Sequence, residues 1–358
     1  MRARSVRWLA ALCLVACGGS GVAPMAPDAG PATAITATPG SWTWVDFPDS
    51  ACDDGTPTGI GVNFSATSQN VVVFMMGGGA CWDYTTCVTL STSTHGPYGS
   101  TQFAAQFSSS APSGSIFDRK LAQSPFADWN FVFVPYCTGD VHAGDHVSMY
   151  SAGGDSRTFH HVGRANVAAF LRRLAVTFTA PAKFAIIGSS AGGFGALLNF
   201  DTFRKAWPTG SAVLVDDSGP VLEGDGIAQP IRDAWFNAWN LAPVADPLCG
   251  TTCRTDLSVA FTKLAARYPA DRMSLLSSVQ DHTSRAYFQL SAPDFQADLL
   301  KLATDRLDPA SHFHYFFVPG ETHTMLGSVP SFSQNSVSLA AFLNKQVTDD
   351  ATWSSEKP

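Results

Sequence analysis

The sequence predicts an α/β protein with a doubly wound, mostly parallel sheet and a helical cap insertion. Three observations predict this fold. Short apolar runs, typical of strands buried on both faces, alternate with longer segments whose apolar residues recur at helical spacing. A long, aromatic-rich segment interrupts this alternation between two of the apolar runs. The 358 residues also suffice for one large domain after an N-terminal leader.

Six apolar runs are predicted as strands of the sheet: residues 71–76, 131–134, 184–187, 212–215, 273–280 and 315–318. Residues 161–178 and 193–206 are predicted helices between them. The segment 225–270 is long, rich in Trp, Phe and Tyr, and predicted to be helical. We expect this insertion to lie over the strand ends as a cap, where ligands bind in open α/β sheets.

The N-terminus has the features of an export signal. Arginines precede an apolar run at residues 8–16, which is too short to span a bilayer as a helix. Residues 14–17, Leu-Val-Ala-Cys, are similar to a bacterial lipobox. We therefore expect a signal peptide at 1–17, lipidation of Cys17, a flexible tether at 18–40 and a catalytic domain at 41–350. The alternative is an ordinary signal peptide with an incidental cysteine.

This leader predicts an exported protein of a bacterium. The chain would then be lipid-anchored to a membrane, periplasmic or at the cell surface, or else secreted. Contact with the membrane would be made only through the anchor at Cys17. The net charge of −7 and the lack of a basic run beyond the leader exclude a nucleic-acid groove and a polybasic membrane patch.

Six cysteines remain beyond the leader, and an even number in an oxidising compartment favours disulfides. The short spacings suggest Cys81–Cys87 and Cys249–Cys253, which leaves Cys52–Cys137. A metal site is the rival interpretation. Because the chain has no CxxC pair and irregular spacings, we predict no metal site.

The stretch "IGSSAGG" at 187–193 contains the pattern G-x-S-x-G with Ser190 at its centre. It follows a predicted strand and precedes a predicted helix. A nucleophilic serine needs this strand-turn-helix context, because the tight turn has no space for bulky neighbours. The context therefore predicts that Ser190 is a nucleophile in an α/β-hydrolase-like fold.

A serine hydroxyl also needs a base and an orienting carboxylate, in the chain order serine, acid, histidine. His323 lies in the loop after the last predicted strand, and Asp281 ends the run 273–280. Asp281 is the favoured acid, while Asp216 and Asp217, which end an earlier strand, stay open as alternatives. This chemistry needs no metal or organic cofactor.

The negative oxygen that forms during ester attack needs backbone N–H donors. One is the N–H of the residue after the nucleophile, here Ala191. The others usually come from a glycine-rich loop after an early strand, and residues 77–81, Gly-Gly-Gly-Ala-Cys, fit that position.

Five motifs occur in order: "MMGGGACW" at 75–82, "VPYCTGD" at 134–140, "IGSSAGGFGAL" at 187–197, "VDDSGP" at 215–220 and "ETHTML" at 321–326. In combination they resemble the pectin acetylesterase family, which includes the Notum carboxylesterases, over residues from about 40 to 345. The resemblance implies Ser190, Asp281 and His323 as the triad, and Gly78, Gly79 and Ala191 as the oxyanion donors. It also supports Cys52–Cys137 and Cys81–Cys87.

The resemblance implies an exported serine carboxylesterase that hydrolyses acetyl esters of a polysaccharide such as pectin. We expect the chain to be a monomer. Plant members read "GGGWC" where this chain has Gly79-Ala80-Cys81-Trp82, so its pocket wall differs. We expect Ala80, Trp82, Asp140 and Trp235 to contact the substrate. The alternatives are a lipase or polyester hydrolase, and, in another class, a catalytically silent module that binds a carbohydrate or a protein partner.

Overall fold

The computed structural model describes residues 32–107, 113–121 and 124–358. The predicted signal peptide, the lipidation at Cys17 and the first part of the tether lie outside these ranges. Among the helices of the described ranges, none has the length and hydropathy that crossing a bilayer requires.

A mixed sheet forms the centre of the molecule, and a hairpin and a short ribbon lie outside it. The strands are β1 (Thr43–Phe47), β2 (Thr58–Asn63), β3 (Val71–Met75), β4 (Asn130–Val134), β5 (His146–Ala152), β6 (Asp155–His161), β7 (Lys183–Ser189), β8 (Ser211–Asp217), β9 (Arg272–Ser278), β10 (Phe313–Val318), β11 (Ser333–Gln334) and β12 (Val337–Ser338). Within the described ranges the main sheet has eight strands in the order β1-β2-β4-β3-β7-β8-β9-β10.

Helices cover both faces of this sheet. They are α1 (Ser100–Phe107), α2 (Gly163–Thr177), α3 (Ala191–Ala206), α4 (Gln229–Ala238), α5 (Ala242–Cys249), α6 (Thr252–Thr255), α7 (Val259–Arg267), α8 (His282–Phe288), α9 (Ala292–Leu302) and α10 (Leu339–Val347). The six predicted strands correspond to β3, β4 and β7–β10, and the two predicted helices to α2 and α3. The predicted α/β-hydrolase-like fold is thus confirmed.

Continuous apolar runs form the central strands because these strands are buried on both faces. In β3, Val71, Val73 and Met75 pack into one core, and Val72 and Phe74 pack into the other. The strands from β4 to β10 in the sheet order are mutually parallel, whereas β1 and β2 are antiparallel additions at one edge. The carboxyl ends of β3, β7, β8, β9 and β10 therefore meet along one edge of the sheet.

The insertion between β8 and β9 is helical, as the sequence predicts, but its helices differ in position. Helices α5 and α7 contact α3 and so extend the layer on that face of the sheet. Helix α4 instead brings Trp235 to the carboxyl edge of the strands. Only part of the insertion thus takes the position expected of a cap.

The three expected cysteine pairs are disulfide-bonded: Cys52–Cys137, Cys81–Cys87 and Cys249–Cys253. The first joins the chain after β1 to the segment that follows β4. The second closes a loop directly after the three glycines that follow β3. These two bonds fix the segments around the carboxyl edge of the sheet, where the polar residues of interest lie.

Candidate active site

Ser190 lies in a strained turn between the end of β7 and the first residue of α3. Its backbone dihedrals are φ 57° and ψ −123°, a region that residues other than glycine rarely occupy. The Ser190 N–H donates to the carbonyl oxygen of Asp217 at 2.6 Å, and the Ser190 carbonyl accepts from the Gly193 N–H at 2.8 Å. These bonds hold the turn, which lies at the carboxyl edge of the sheet.

The two glycines of the pattern allow the close packing that this turn needs. A Cβ atom on Gly188 would overlap the carbonyl oxygen of Gly192, and one on Gly192 would overlap the carbonyl oxygen of Met75. Strand β7, helix α3 and strand β3 therefore approach one another more closely than any side chain at these positions would permit.

His323 and Asp281 form a hydrogen-bonded pair beside this turn. The His323 Nδ1 lies 2.7 and 3.0 Å from the two Asp281 carboxylate oxygens, and Asp281 is fully buried. Because an ionised carboxylate only accepts hydrogen bonds, the imidazole proton is on Nδ1. Among the described residues the buried Nε2 has no hydrogen-bond partner, and it is left as the acceptor of the ring. Since Ser190 and His323 line the same cavity, the structure brings the three predicted triad residues together.

The first turn of helix α8 holds the Asp281 carboxylate in place, in addition to its bond to His323. Asp281 is the N-cap of α8, and its Oδ1 accepts the backbone N–H groups of Thr283 at 2.9 Å and Ser284 at 3.0 Å. These bonds satisfy two N–H groups of the first helical turn, which have no acceptor within the helix. The carboxylate is therefore held by its own helix while it orients the imidazole.

Asp217 and Asp216 occupy different positions. The Asp217 carboxylate accepts from the Ser189 hydroxyl at 2.7 Å and from the N–H groups of Met325 and Leu326 at 2.9–3.0 Å. Asp217 thus holds the backbone of the histidine loop and makes no hydrogen bond to the imidazole. Asp216 accepts from the Gly219 N–H, and burial raises its pKa well above the usual range. Of the three candidate acids, the one bonded to His323 is Asp281.

The three expected oxyanion donors surround Ser190. Gly79 and Ala191 line the same cavity as Ser190, and Gly78 lines the adjoining groove. In the described part of the chain, the N–H groups of these three residues donate to no protein atom. The next N–H, that of Ala80, is taken by the Tyr287 hydroxyl at 3.3 Å. The three N–H groups that the sequence predicts as donors are thus all free in the described part of the chain.

Two openings of different chemistry meet at Ser190. The apolar cavity has a volume of about 40 Å³, and its apolar wall is formed by Ala80, Val141, Phe194, Trp235 and Phe288. The second opening, here called the hydroxyl groove, has a volume of about 470 Å³ and is lined by Gly77–Gly79, Ser91–Thr94, Ser189, Ser190, Thr283, Tyr287, His323 and Thr324. Ser190, His323, Gly79, Thr283 and Tyr287 border both.

The four expected substrate contacts are placed differently. Ala80 and Trp235 line the apolar cavity. Trp82 packs edge-on against Trp235, with ring centroids 5.9 Å apart, and does not line the cavity. The structure therefore does not favour a direct contact between Trp82 and a bound substrate.

The expectation for Asp140 needs correction. Asp140 is fully buried and its carboxylate is occupied by the Thr138 hydroxyl at 2.6 Å and the Gly163 N–H at 2.7 Å, with two further N–H groups. It lines neither the cavity nor the groove. Because its oxygens already accept from the protein, Asp140 stabilises the loop after β4 and does not reach the site.

Sequence reasoning missed the contributions of α8 and of residues 91–94. Tyr287 and Phe288 lie one to two turns after the N-cap Asp281, on the face of α8 that meets the cavity. The helical spacing from Asp281 is a signal that could have identified them. The run "STST" at 91–94 gave a weaker signal: it follows the disulfide-bonded Cys87, whose partner adjoins the glycine loop.

The described residues hold one cluster with metal-like spacing, formed by Cys81, Cys87 and His161. The two cysteines are joined as a disulfide, so neither offers a thiolate. The His161 Nδ1 donates to the Thr138 carbonyl oxygen at 2.8 Å, and its Nε2 pairs with the Tyr150 hydroxyl at 2.9 Å. The three residues of this cluster therefore have a structural role.

Known proteins resemble this chain in sequence and in fold. The sequence model of the family described as Pectinacetylesterase matches residues 41–275. Palmitoleoyl-protein carboxylesterase Notum of Mus musculus is 29% identical over 194 residues, which cover 52% of this chain and 33% of that protein. Pectin acetylesterase 11 of Arabidopsis thaliana is 28% identical over 171 residues, which cover 48% and 40%. The chain thus spans well under half the length of these curated relatives.

The fold is also found in a solved structure, that of the Wnt deacylase Notum from Drosophila. The TM-score is 0.62 at 16% sequence identity, and the superposition covers 88% of this chain and 95% of that chain. At this identity the likeness is one of fold.

Proposed function

Because this chain belongs to the pectinacetylesterase family, we propose that it is an exported serine carboxylesterase that releases short acyl groups, acetyl above all, from a polysaccharide. The name of the plant relatives makes pectin the first polysaccharide to consider. The observation that carries the proposal is the geometry around Ser190. A serine in a strained elbow shares a cavity with a histidine whose Nδ1 is held by a buried carboxylate and whose Nε2 is unpaired.

In the proposed reaction, the Ser190 Oγ attacks the carbonyl carbon of the ester while the His323 Nε2 takes the hydroxyl proton. The tetrahedral oxyanion accepts from the N–H groups of Gly79 and Ala191, with Gly78 beside them. His323 then returns the proton to the leaving alcohol oxygen, and the acyl group stays on Ser190. A water molecule that gives its proton to Nε2 attacks the acyl carbon, the bond to the Ser190 Oγ breaks, and Nε2 returns the proton to Oγ, so that the carboxylic acid and free Ser190 result.

The apolar cavity supports a short acyl group. Its volume of about 40 Å³ is far below the roughly 300–1,000 Å³ of pockets that hold drug-sized ligands. An acetyl group, with one methyl carbon beyond its carbonyl, fits this space. A long acyl chain would have to displace the aromatic wall, which includes Phe194 and Trp235.

Export is part of the proposal. The three disulfides are typical of oxidising compartments. We propose anchoring through lipidated Cys17 on the sequence of the leader alone. Mass spectrometry of the mature N-terminus tests this, because an unmodified N-terminus at another residue would contradict the anchor.

The catalytic proposal is tested with p-nitrophenyl acetate. We expect the wild-type protein to hydrolyse it and Ser190→Ala to lose at least about 1000-fold in kcat. Ser331→Ala is the matched control, because this exposed serine lines neither the apolar cavity nor the hydroxyl groove. If Ser190→Ala hydrolyses the ester as fast as the wild type, the assignment of Ser190 is wrong.

A further inference from the structure

The hydroxyl groove lies where the alcohol half of an ester would emerge. Five residues, among them Ser190 and His323, border both the groove and the apolar cavity. If the acyl group occupies the small apolar cavity, the alcohol half leaves the reacting carbon through the groove. The chemistry of the groove therefore selects the alcohol, and this argument rests on the proposed function.

The floor of the groove is a fixed structure. The Thr94 N–H donates to the Gly78 carbonyl oxygen at 2.7 Å, and the Thr92 hydroxyl donates to the Ala80 carbonyl oxygen at 2.6 Å. The Tyr287 hydroxyl donates to the Thr92 carbonyl oxygen. Residues 91–94 are thereby tied to both the glycine loop and α8, so their side chains are presented in a defined geometry.

Several hydroxyls of the groove are free to bind a ligand. Ser91 is exposed, and Thr94 and Thr324 are partly exposed. In the described part of the chain their hydroxyls make no hydrogen bond to protein. A hydroxyl can both donate and accept, as can the hydroxyls of a sugar. This lining matches a polyhydroxylated alcohol.

The groove also offers no cation to a negatively charged alcohol. The residues that line it include no Lys, Arg, Asp or Glu. Arg285 lies on the same helix as Thr283 and Tyr287, but its guanidinium is paired with Glu321 at 2.8 Å. The whole chain carries a net charge of −7, so its long-range field repels polyanions. Each uronate carboxylate of a pectin chain would thus enter without a counter-charge.

We propose that the polysaccharide is an acetylated glycan of uncharged sugars, and that free uronate carboxylates disfavour binding. The groove recognises sugar hydroxyls through Ser91, Thr94 and Thr324, while the apolar cavity takes the acetyl methyl group.

The test compares acetate release from three polymers at matched acetyl content: acetylated xylan, acetylated polygalacturonate, and the same polygalacturonate after methyl esterification of its carboxylates. We expect kcat/KM to be about tenfold lower for the free-carboxylate polymer than for the other two. The negatively charged protein repels the uronate carboxylates, and no cation in the groove pairs with them. Added salt should narrow this difference, since it screens the repulsion.

A charge-gain variant makes the test specific to the groove. Ser91→Lys should raise kcat/KM for acetylated polygalacturonate several-fold relative to acetylated xylan, and the gain should vanish at high salt. Val176→Lys, an exposed position on α2, adds the same charge away from the groove and should leave the ratio unchanged.

Three results would overturn the inference: equal or faster release from the free-carboxylate polymer, release from none of the polymers, or a falling rate with salt on polygalacturonate. In each case Ser190-dependent hydrolysis of p-nitrophenyl acetate shows that the proposed serine carboxylesterase activity still stands, although release from none of the polymers would remove the polysaccharide as its substrate. Loss of that hydrolysis itself would overturn the proposed function, and the inference with it.

Discussion

At the scale of single residues, two buried aspartates are distinguished by their partners. Both Asp217 and Asp281 are fully buried at the carboxyl edge of the sheet. Asp281 shares its oxygens between helix N–H groups and an imidazole, whereas Asp217 binds two hydroxyls and two loop N–H groups. One carboxylate orients the ring that we propose as the base, and the other fixes the loop that carries the ring.

This difference predicts that two amide substitutions affect different properties, one the rate and the other the stability. Asp281→Asn can still accept from the N–H groups of α8 through its one oxygen, but an NH2 group then replaces the oxygen that lies 2.7 Å from the imidazole Nδ1 and cannot accept the Nδ1–H. We expect kcat for p-nitrophenyl acetate to fall about 10⁴-fold with little loss of stability. Asp217→Asn should lower the free energy of unfolding by about 1–3 kcal/mol, because some of the hydroxyl and N–H donors around this position would then face an NH2 group and have no acceptor.

The two variants are compared by kcat and by urea unfolding. A larger loss of kcat in Asp217→Asn than in Asp281→Asn would contradict the assignment of the acid.

His161 predicts a dependence of stability on pH. Burial lowers its pKa to about 4, from 6.5 in the unfolded chain. The folded state therefore favours the neutral ring, and this stabilisation is complete above pH 6.5. It is lost as the pH falls from 6.5 to 4, in total about 3 kcal/mol.

Urea unfolding at pH 7, 5.5 and 4 tests this prediction. In His161→Gln, which has no titrating ring, the free energy of unfolding should fall less steeply over this range. A difference between wild type and variant that does not change with pH would refute it.

At the scale of secondary structure elements, α4 carries the wall of the apolar cavity. Trp235 is stacked on Trp239, with ring centroids 5.4 Å apart and planes 14° apart, and Trp82 packs on its edge. The Trp239 indole N–H donates to the Cys81 carbonyl oxygen at 2.8 Å. The wall is therefore tied to the disulfide-closed loop beside the oxyanion glycines, which keeps the cavity small.

Trp235→Ala should enlarge the cavity and change acyl preference. We expect the ratio of kcat/KM for p-nitrophenyl butyrate to that for the acetate to rise at least about tenfold, since each buried methylene contributes about 1 kcal/mol. The variant should also lose about 3–5 kcal/mol of stability. Trp82→Ala, which changes the same stack without opening the cavity, should keep the acetate preference. An unchanged ratio in Trp235→Ala would show that this wall does not set acyl length.

The sequence predicts the elements that are buried on both faces, because continuous apolar runs have no other place in a soluble fold. It does not predict β1 and β2, since "TGIGVN" is rich in glycine, or the hairpin β5–β6, whose residues are largely exposed. In the site, strand order indicates Ser190 and His323. It leaves Asp281 and Asp217 open, because both follow strands at the same edge. The contact between Tyr287 and residues 91–94 is not predicted either, because the fold alone brings these distant parts of the chain together.

At the scale of the whole molecule, the long-range disulfide is expected to contribute most to stability. Cys52 and Cys137 are 85 residues apart, whereas Cys249 and Cys253 are four apart. The entropy of loop closure gives about 4.6 kcal/mol for the first bond and about 2 kcal/mol for the second.

Urea unfolding of the two double Cys→Ala variants tests this expectation. If both variants lose a similar amount of the free energy of unfolding, the explanation from loop-closure entropy is wrong.

The two openings at Ser190 belong to different loops, and this has a consequence for how the protein can diversify. The segment after β3 builds the groove, and the insertion after β8 supplies Trp235, while the reacting residues stay at the ends of fixed strands. Residues 91–94 lie outside the Cys81–Cys87 loop that the tryptophans of the insertion contact, so a change in them leaves the tryptophan wall and the strand ends in place. Evolution, or a loop-grafting experiment, can therefore exchange preference for the leaving group and for the transferred group one at a time.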